Sequence, residues 1–194
     1  MLPRFQELND AERQWVSSCI KAGRQMVVEY APADAGRPLD AGVLDRTYAA
    51  WLTTGEADGD RINQAINAIG FAFGQLLIDA AGFEWVVVTD QFGCDMGLRA
   101  LPGKGDVLVY PTHMVAKRWQ SRESMFLEPL FEVVTKQVRD VQANWPERPP
   151  QFRNNRSRIR HLQATIAGSA PGLGGGPISF WPRVTSASRL CLRT

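Results

Sequence analysis

The residues with chemistry to offer fall in one stretch of the chain. Asp90, Asp95, Arg99, His113, Lys117, Arg118 and Trp119 all lie within residues 90–119. A histidine next to a carboxylate moves protons near neutral pH, so Asp90 or Asp95 with His113 suits general acid–base work. Lys117-Arg118-Trp119, extended by Arg122, suits a phosphate or an acidic group on a partner. Cys94 with His113 would make a thiolate–imidazole pair. The competing assignments are structural. Asp90 and Asp106 fit turn residues, Asp95 fits solvent opposite Arg99, His113 fits a cap or the surface, and Cys94 falls on the apolar side of an alternating segment.

No complete catalytic or metal motif accompanies these residues. Gly97 and Gly103-Lys104-Gly105 miss the phosphate-loop spacing and its Ser or Thr. Gly172 to Gly176 follows no strand pattern and opens no helix. Asp58-Gly59-Asp60 starts like a calcium loop, but Ile62 stands where the third ligand belongs. There is no G-x-S-x-G. The expectation is no catalytic assignment, no metal and no cofactor, with the seven residues above as a binding surface.

Periodicity describes the frame that would position them. Asn9 and Glu12 form a capping-box start for an amphipathic helix ending at Tyr30. A shorter helix fits Leu39 to Leu52, with Val43, Leu44, Thr47, Tyr48 and Trp51 inward. Asp58 or Asp60 caps a third helix that runs to Gly82. Its main apolar face carries Ile62, Ile66, Ile69, Phe73 and Leu77, and Phe71 and Ile78 make a second patch. Gly70 and Gly74 sit one turn apart and suggest a neighbouring backbone passing close. The period then changes to two. Glu84–Thr89, Cys94–Ala100 and Val107–Tyr110 read as three strands of an antiparallel meander joined by turns at Asp90–Gly93 and Pro102–Gly105. Thr112 fits the cap of a short helix, and a last helix fits Ser124 to Ala143 with Pro129 in its first turn. The fold class is therefore α+β, with N-terminal helices packed on a three-stranded antiparallel meander, then a C-terminal helix and a disordered tail.

Charge divides the chain in the same place. Through Gln151 there are fifteen basic against twenty acidic residues, a net of −5; from Phe152 there are seven Arg and no acid, a net of +7. Residues 1–147 read as one domain and 148–194 as a basic, Gly/Pro-rich tail, either native or a read-through extension. Three scattered cysteines argue against a disulfide scaffold or zinc site and for a reducing compartment. No apolar run has the length of a membrane span, and the expected setting is the cytoplasm.

Three separated blocks carry a resemblance. Gly70-x-x-Phe73-Gly74, Trp85-x4-Asp90-x-x-Gly93 and Pro111-x-x-Met114-x-x-Lys117-Arg118 resemble a small bacterial domain family of unknown function, over residues 39–138. The resemblance implies a cytosolic α+β domain and transfers no catalytic residues. Some small acidic α+β proteins act as immunity proteins, an association by class alone. The expected function is a non-enzymatic protein-binding module, an immunity or adaptor protein, whose partner is basic. The alternatives are a small hydrolase or transferase with a carboxylate/His site at the meander end, and a nucleic-acid binder acting through the Arg-rich tail.

Overall fold

The computed structural model describes residues 3–91 and 93–145. The expectation of a disordered tail at 148–194 lies outside the described residues. Ten elements follow one another: β1 (Arg4–Glu7), α1 (Asp10–Tyr30), a 3-10 turn (Pro32–Asp34), α2 (Ala41–Thr53), α3 (Gly59–Ala81), β2 (Glu84–Asp90), β3 (Gly93–Ala100), β4 (Val107–Val109), α4 (Pro111–Ser121) and α5 (Leu127–Asn144).

The class is α+β, and the meander has four strands rather than three. The sheet order is β1-β2-β3-β4, antiparallel throughout. The added strand, Arg-Phe-Gln-Glu, pairs Arg4 with Thr89 and Glu7 with Val86. It is an edge strand of four residues, too short to display a period of two, and its neighbour β2 arrives only after three helices.

The first three helices start where a local side chain satisfies the first amides. Asn9 accepts from the Glu12 amide, and Glu12 returns the bond to the Asn9 amide, a full capping box. Asp40 caps α2 and Asp58 caps α3. Gly82 ends α3 at φ 66°, a conformation that costs glycine little. Thr112 does not cap α4. The helix begins at Pro111, which needs no amide partner, and Thr112 is buried inside the first turn. Ser124 likewise does not start α5, because the cap comes from another helix. Asp45, in the middle of α2 and fully buried, accepts the amides of Leu127 at 2.8 Å and Glu128 at 2.7 Å.

The central element is α3, apolar on two faces. Ile69, Phe73 and Leu77 join a core with α2, α4, α5 and Leu98 and Val109 of the sheet. Phe71 turns the other way, into a second core with Leu8, Val16, Val87 and Met96. Its ring meets Trp15 edge-on and Trp85 at a tilt, each with centroids 4.7 Å apart. Ile78 packs on the first core rather than the second. The glycines seat this helix, in two different ways. A Cβ on Gly70 would stand 2.8 Å from the Thr112 Cα, so α4 backbone does press there. At Gly74 the neighbour is a side chain, the Trp85 ring at 2.5 Å.

Candidate functional site

The sheet has two faces. Register places Trp85, Val87, Met96 and Leu98 toward the helices, so Val86, Val88, Asp95, Gly97 and Arg99 lie on the outer side. Phe5 of β1, opposite Val88, shares that outer side. Cys94 packs on the helix side, where its Sγ lies 3.6 Å from the Thr89 hydroxyl. A Cys94–His113 pair built on the outer face is therefore not the arrangement adopted.

Asp95 and His113 do come together. His113 Nε2 lies 2.5 Å from Asp95 Oδ2, while Asp95 Oδ1 accepts the Met96 amide at 2.7 Å. The carboxylate is thus fixed by its own strand, and it faces the histidine rather than Arg99. The first turn of α4 presents His113. Tyr110, just before that helix, shelves it: the two rings stack with centroids 5.3 Å apart and planes 16° apart. Gly97 makes room for the shelf, since a Cβ there would approach the Tyr110 ring at 3.2 Å. Burial, and then the carboxylates of Asp90 and Asp95, push the Tyr110 phenol up to about 12. Tyr110 therefore stays protonated as a donor. Sequence reasoning passed over it because an aromatic at a strand end looks like core. The glycine two residues beyond Asp95 was the available signal.

The other candidates separate. Arg99 bonds Asp106 through Nε at 2.9 Å and Nη2 at 2.6 Å, and its guanidinium lies 4.2 Å from the centre of the Phe5 ring. The same Asp106 oxygen accepts the Gly103 amide, so this group holds the β3–β4 loop. Asp90 closes the β2–β3 turn opposite Gly93, which takes φ 134°. Lys117, Arg118 and Trp119 are not one cluster. Successive helical residues diverge by about 100°. Lys117 is exposed, Trp119 packs on the main core, and Arg118 stands 5.6 Å from the Phe126 ring with Nε 3.0 Å from Glu123. Five residues along α4 also put Arg118 about 7.5 Å and 140° away from His113. A hydrolytic site joining His113 to Arg118 is not formed.

Chemically, the Asp95–His113–Tyr110 group can orient an imidazole and donate a phenolic proton to a ligand. Among the described residues, no group of three or more His, Cys, Asp or Glu is placed to hold a metal ion. No helix among them is long and apolar enough to cross a membrane.

No curated protein and no solved structure matches the chain. Residues 40–131, from the cap of α2 to the first turns of α5, match the model of a family described as a domain of unknown function (DUF3806), a segment that contains the Asp95–His113 pair and leaves β1 and α1 outside.

Proposed function

We propose that the protein is a non-enzymatic binding module, in the class of immunity and adaptor proteins, that recognises a basic protein partner. A bacterial, cytosolic setting, carried over from the resemblance, belongs to the same proposal. The observation that carries the reading is charge. Residues 3–145 hold fourteen Arg and Lys against nineteen Asp and Glu. Arg13, Arg37, Arg46, Arg61, Arg99, Arg118 and Lys136 each already have a carboxylate of this chain within ion-pair distance. The surplus carboxylates then set the field that a partner meets, which favours fast, salt-sensitive capture of cations. Asp90, Asp95, Arg99, His113, Lys117, Arg118 and Trp119 remain the proposed contact residues from the sequence. Their scatter over two faces of α4 and one of the sheet limits any single contact to a subset.

A display selection with random peptides tests this. The reading expects enrichment of Lys- and Arg-rich sequences that salt elutes. Enrichment of acidic sequences, or none at all, contradicts it.

One observation favours a second reading, a hydrolase or transferase: the 2.5 Å contact between His113 and Asp95. Such a dyad activates water or a substrate hydroxyl. A panel of ester and phosphoester substrates decides it. Turnover that His113→Ala and Asp95→Asn both abolish would establish the enzyme reading over the binding one. The nucleic-acid alternative rests on Phe152 onward and lies outside the described residues.

A further inference from the structure

The helical side of the domain carries a cleft of about 350 Å³ between α1, α2 and α3. Its floor is apolar: Met26, Trp51 and Ala65 are buried there. Its rim is polar, and carboxylates outnumber cations on it, Glu29 and Glu56 against Arg61. The volume falls at the small end of the range for ligand sites, which begins at about 300 Å³.

Glu56 is held in a fixed pose. Its Oε1 accepts the backbone amides of Ala57 and Asp58, both at 3.0 Å. Its Oε2 is then left to face Arg61, whose Nη1 stands 3.6 Å away. The two partners differ in freedom. The Glu56 side chain is 25% exposed and anchored; the Arg61 side chain is 75% exposed and anchored by nothing else on the rim. An ion pair this exposed is weak, and the arginine pays little to leave it. The second carboxylate stands close by. Glu29 lines the same cleft as Tyr30, and the carboxylates of Glu29 and Glu56, with burial, raise the Tyr30 phenol above its ordinary value. The same phenol senses Arg61. Glu29, Tyr30, Glu56 and Arg61 thus line one cleft above its apolar floor.

We propose that this cleft is the seat for a guanidinium or ammonium side chain of a basic protein partner, with Glu56 and Glu29 as its acceptors and Arg61 as the intramolecular cation it replaces. The proposal rests on the binding-module reading and gives that reading a location. An incoming side chain lays its methylene stem toward Met26 and Trp51 and its charged head against the carboxylates. Pre-set acceptors lower the ordering cost of binding. All of α1, with its Glu29, lies outside residues 40–131, so the seat belongs to this chain rather than to the matched segment alone.

The test uses the full chain labelled with ¹⁵N and follows the Trp51 indole N–H, identified through Trp51→Phe. The probes are N-acetyl-arginine amide, its neutral citrulline counterpart and N-acetyl-norleucine amide. The arginine probe should give a saturable shift. Glu56→Gln keeps an oxygen for the two backbone amides, so it should stay folded while weakening the arginine probe by about fivefold or more. Arg61→Ala should leave binding unchanged or tighten it. An equal response to citrulline, an equal response to norleucine, or full affinity in Glu56→Gln overturns the proposal. Display-selected basic peptides that still bind Glu29→Gln and Glu56→Gln with undiminished salt sensitivity would overturn the seat and leave the binding module standing. Failure of every basic ligand would overturn both.

Discussion

Removing the Asp45 carboxylate should loosen the C-terminal helix from a distance of eighty-two residues. Asp45 is fully buried in α2 and accepts two amides of the α5 first turn, at 2.8 and 2.7 Å. In Asp45→Ala, the Leu127 amide has no water to turn to, because Leu127 is itself fully buried; an orphaned buried amide costs about 1–3 kcal/mol. Glu128 is exposed, so its amide can recover a water, and its loss is nearer the about 1 kcal/mol typical of a missing cap. Release of the buried carboxylate's desolvation offsets part of this, and the net loss comes to about 2–3 kcal/mol. For a chain of this size that lowers Tm by roughly 5–10 °C. Asp45→Asn keeps one acceptor and should fall between. Thermal unfolding followed by circular dichroism gives the Tm. Amide hydrogen exchange gives the location, with faster exchange expected at Leu127 and the turn after it. A Tm change under about 2 °C, or unaltered protection at the start of α5, would refute the assignment of Asp45 as the cap.

Other outcomes follow from particular contacts. Gly70→Ala should destabilise by about 1–3 kcal/mol in urea unfolding, although alanine is the better helix former by about 1 kcal/mol, because the new Cβ would stand 2.8 Å from the Thr112 Cα; a gain in stability would contradict the packing. Tyr48 and Tyr110 should ionise near pH 12 in a phenolate absorbance titration, since burial raises both from 10.0. Their folded values lie above the unfolded one, so this contribution is fully present below pH 10 and is lost as pH rises toward about 12; two tyrosines titrating at 10 in the folded protein would contradict it. Burial also pushes the Cys19 thiol up from 9.0 to about 11. Its iodoacetamide labelling at mildly alkaline pH, followed by peptide mass spectrometry, should run about a hundredfold slower than that of an unshifted thiol.

The helices were legible because their apolar residues recur at a helical period over many turns, and Asn9 with Glu12 and Asp58 are local caps that a sequence displays directly. The hairpin of β2 and β3 was legible for the same reason at a period of two. What escaped were features set by partners far along the chain. β1 has four residues and gains its identity from β2. Asp45 looks like a solvent-facing charge on α2 until α5 is brought against it. The site divides in the same manner. Asp95 and His113 were visible as residue types, yet their pairing depends on Gly97 admitting the Tyr110 ring. Arg99 and Arg118 read as open cations, and each has found a carboxylate close in sequence, Asp106 and Glu123. The acidic cleft was not legible at all, since its lining comes from α1, from α2 and the loop after it, and from α3, which are far apart in the sequence.

The proposed function is the capture of a cationic partner by an acidic surface. The most direct measurement is the affinity of the full chain for a display-selected basic peptide, by isothermal titration over a range of salt, beside the same peptide with its Lys and Arg changed to Gln. Capture by the acidic surface predicts an affinity that falls steadily with salt and is lost in the Gln version. Salt-independent affinity, or equal binding of the Gln version, would contradict it.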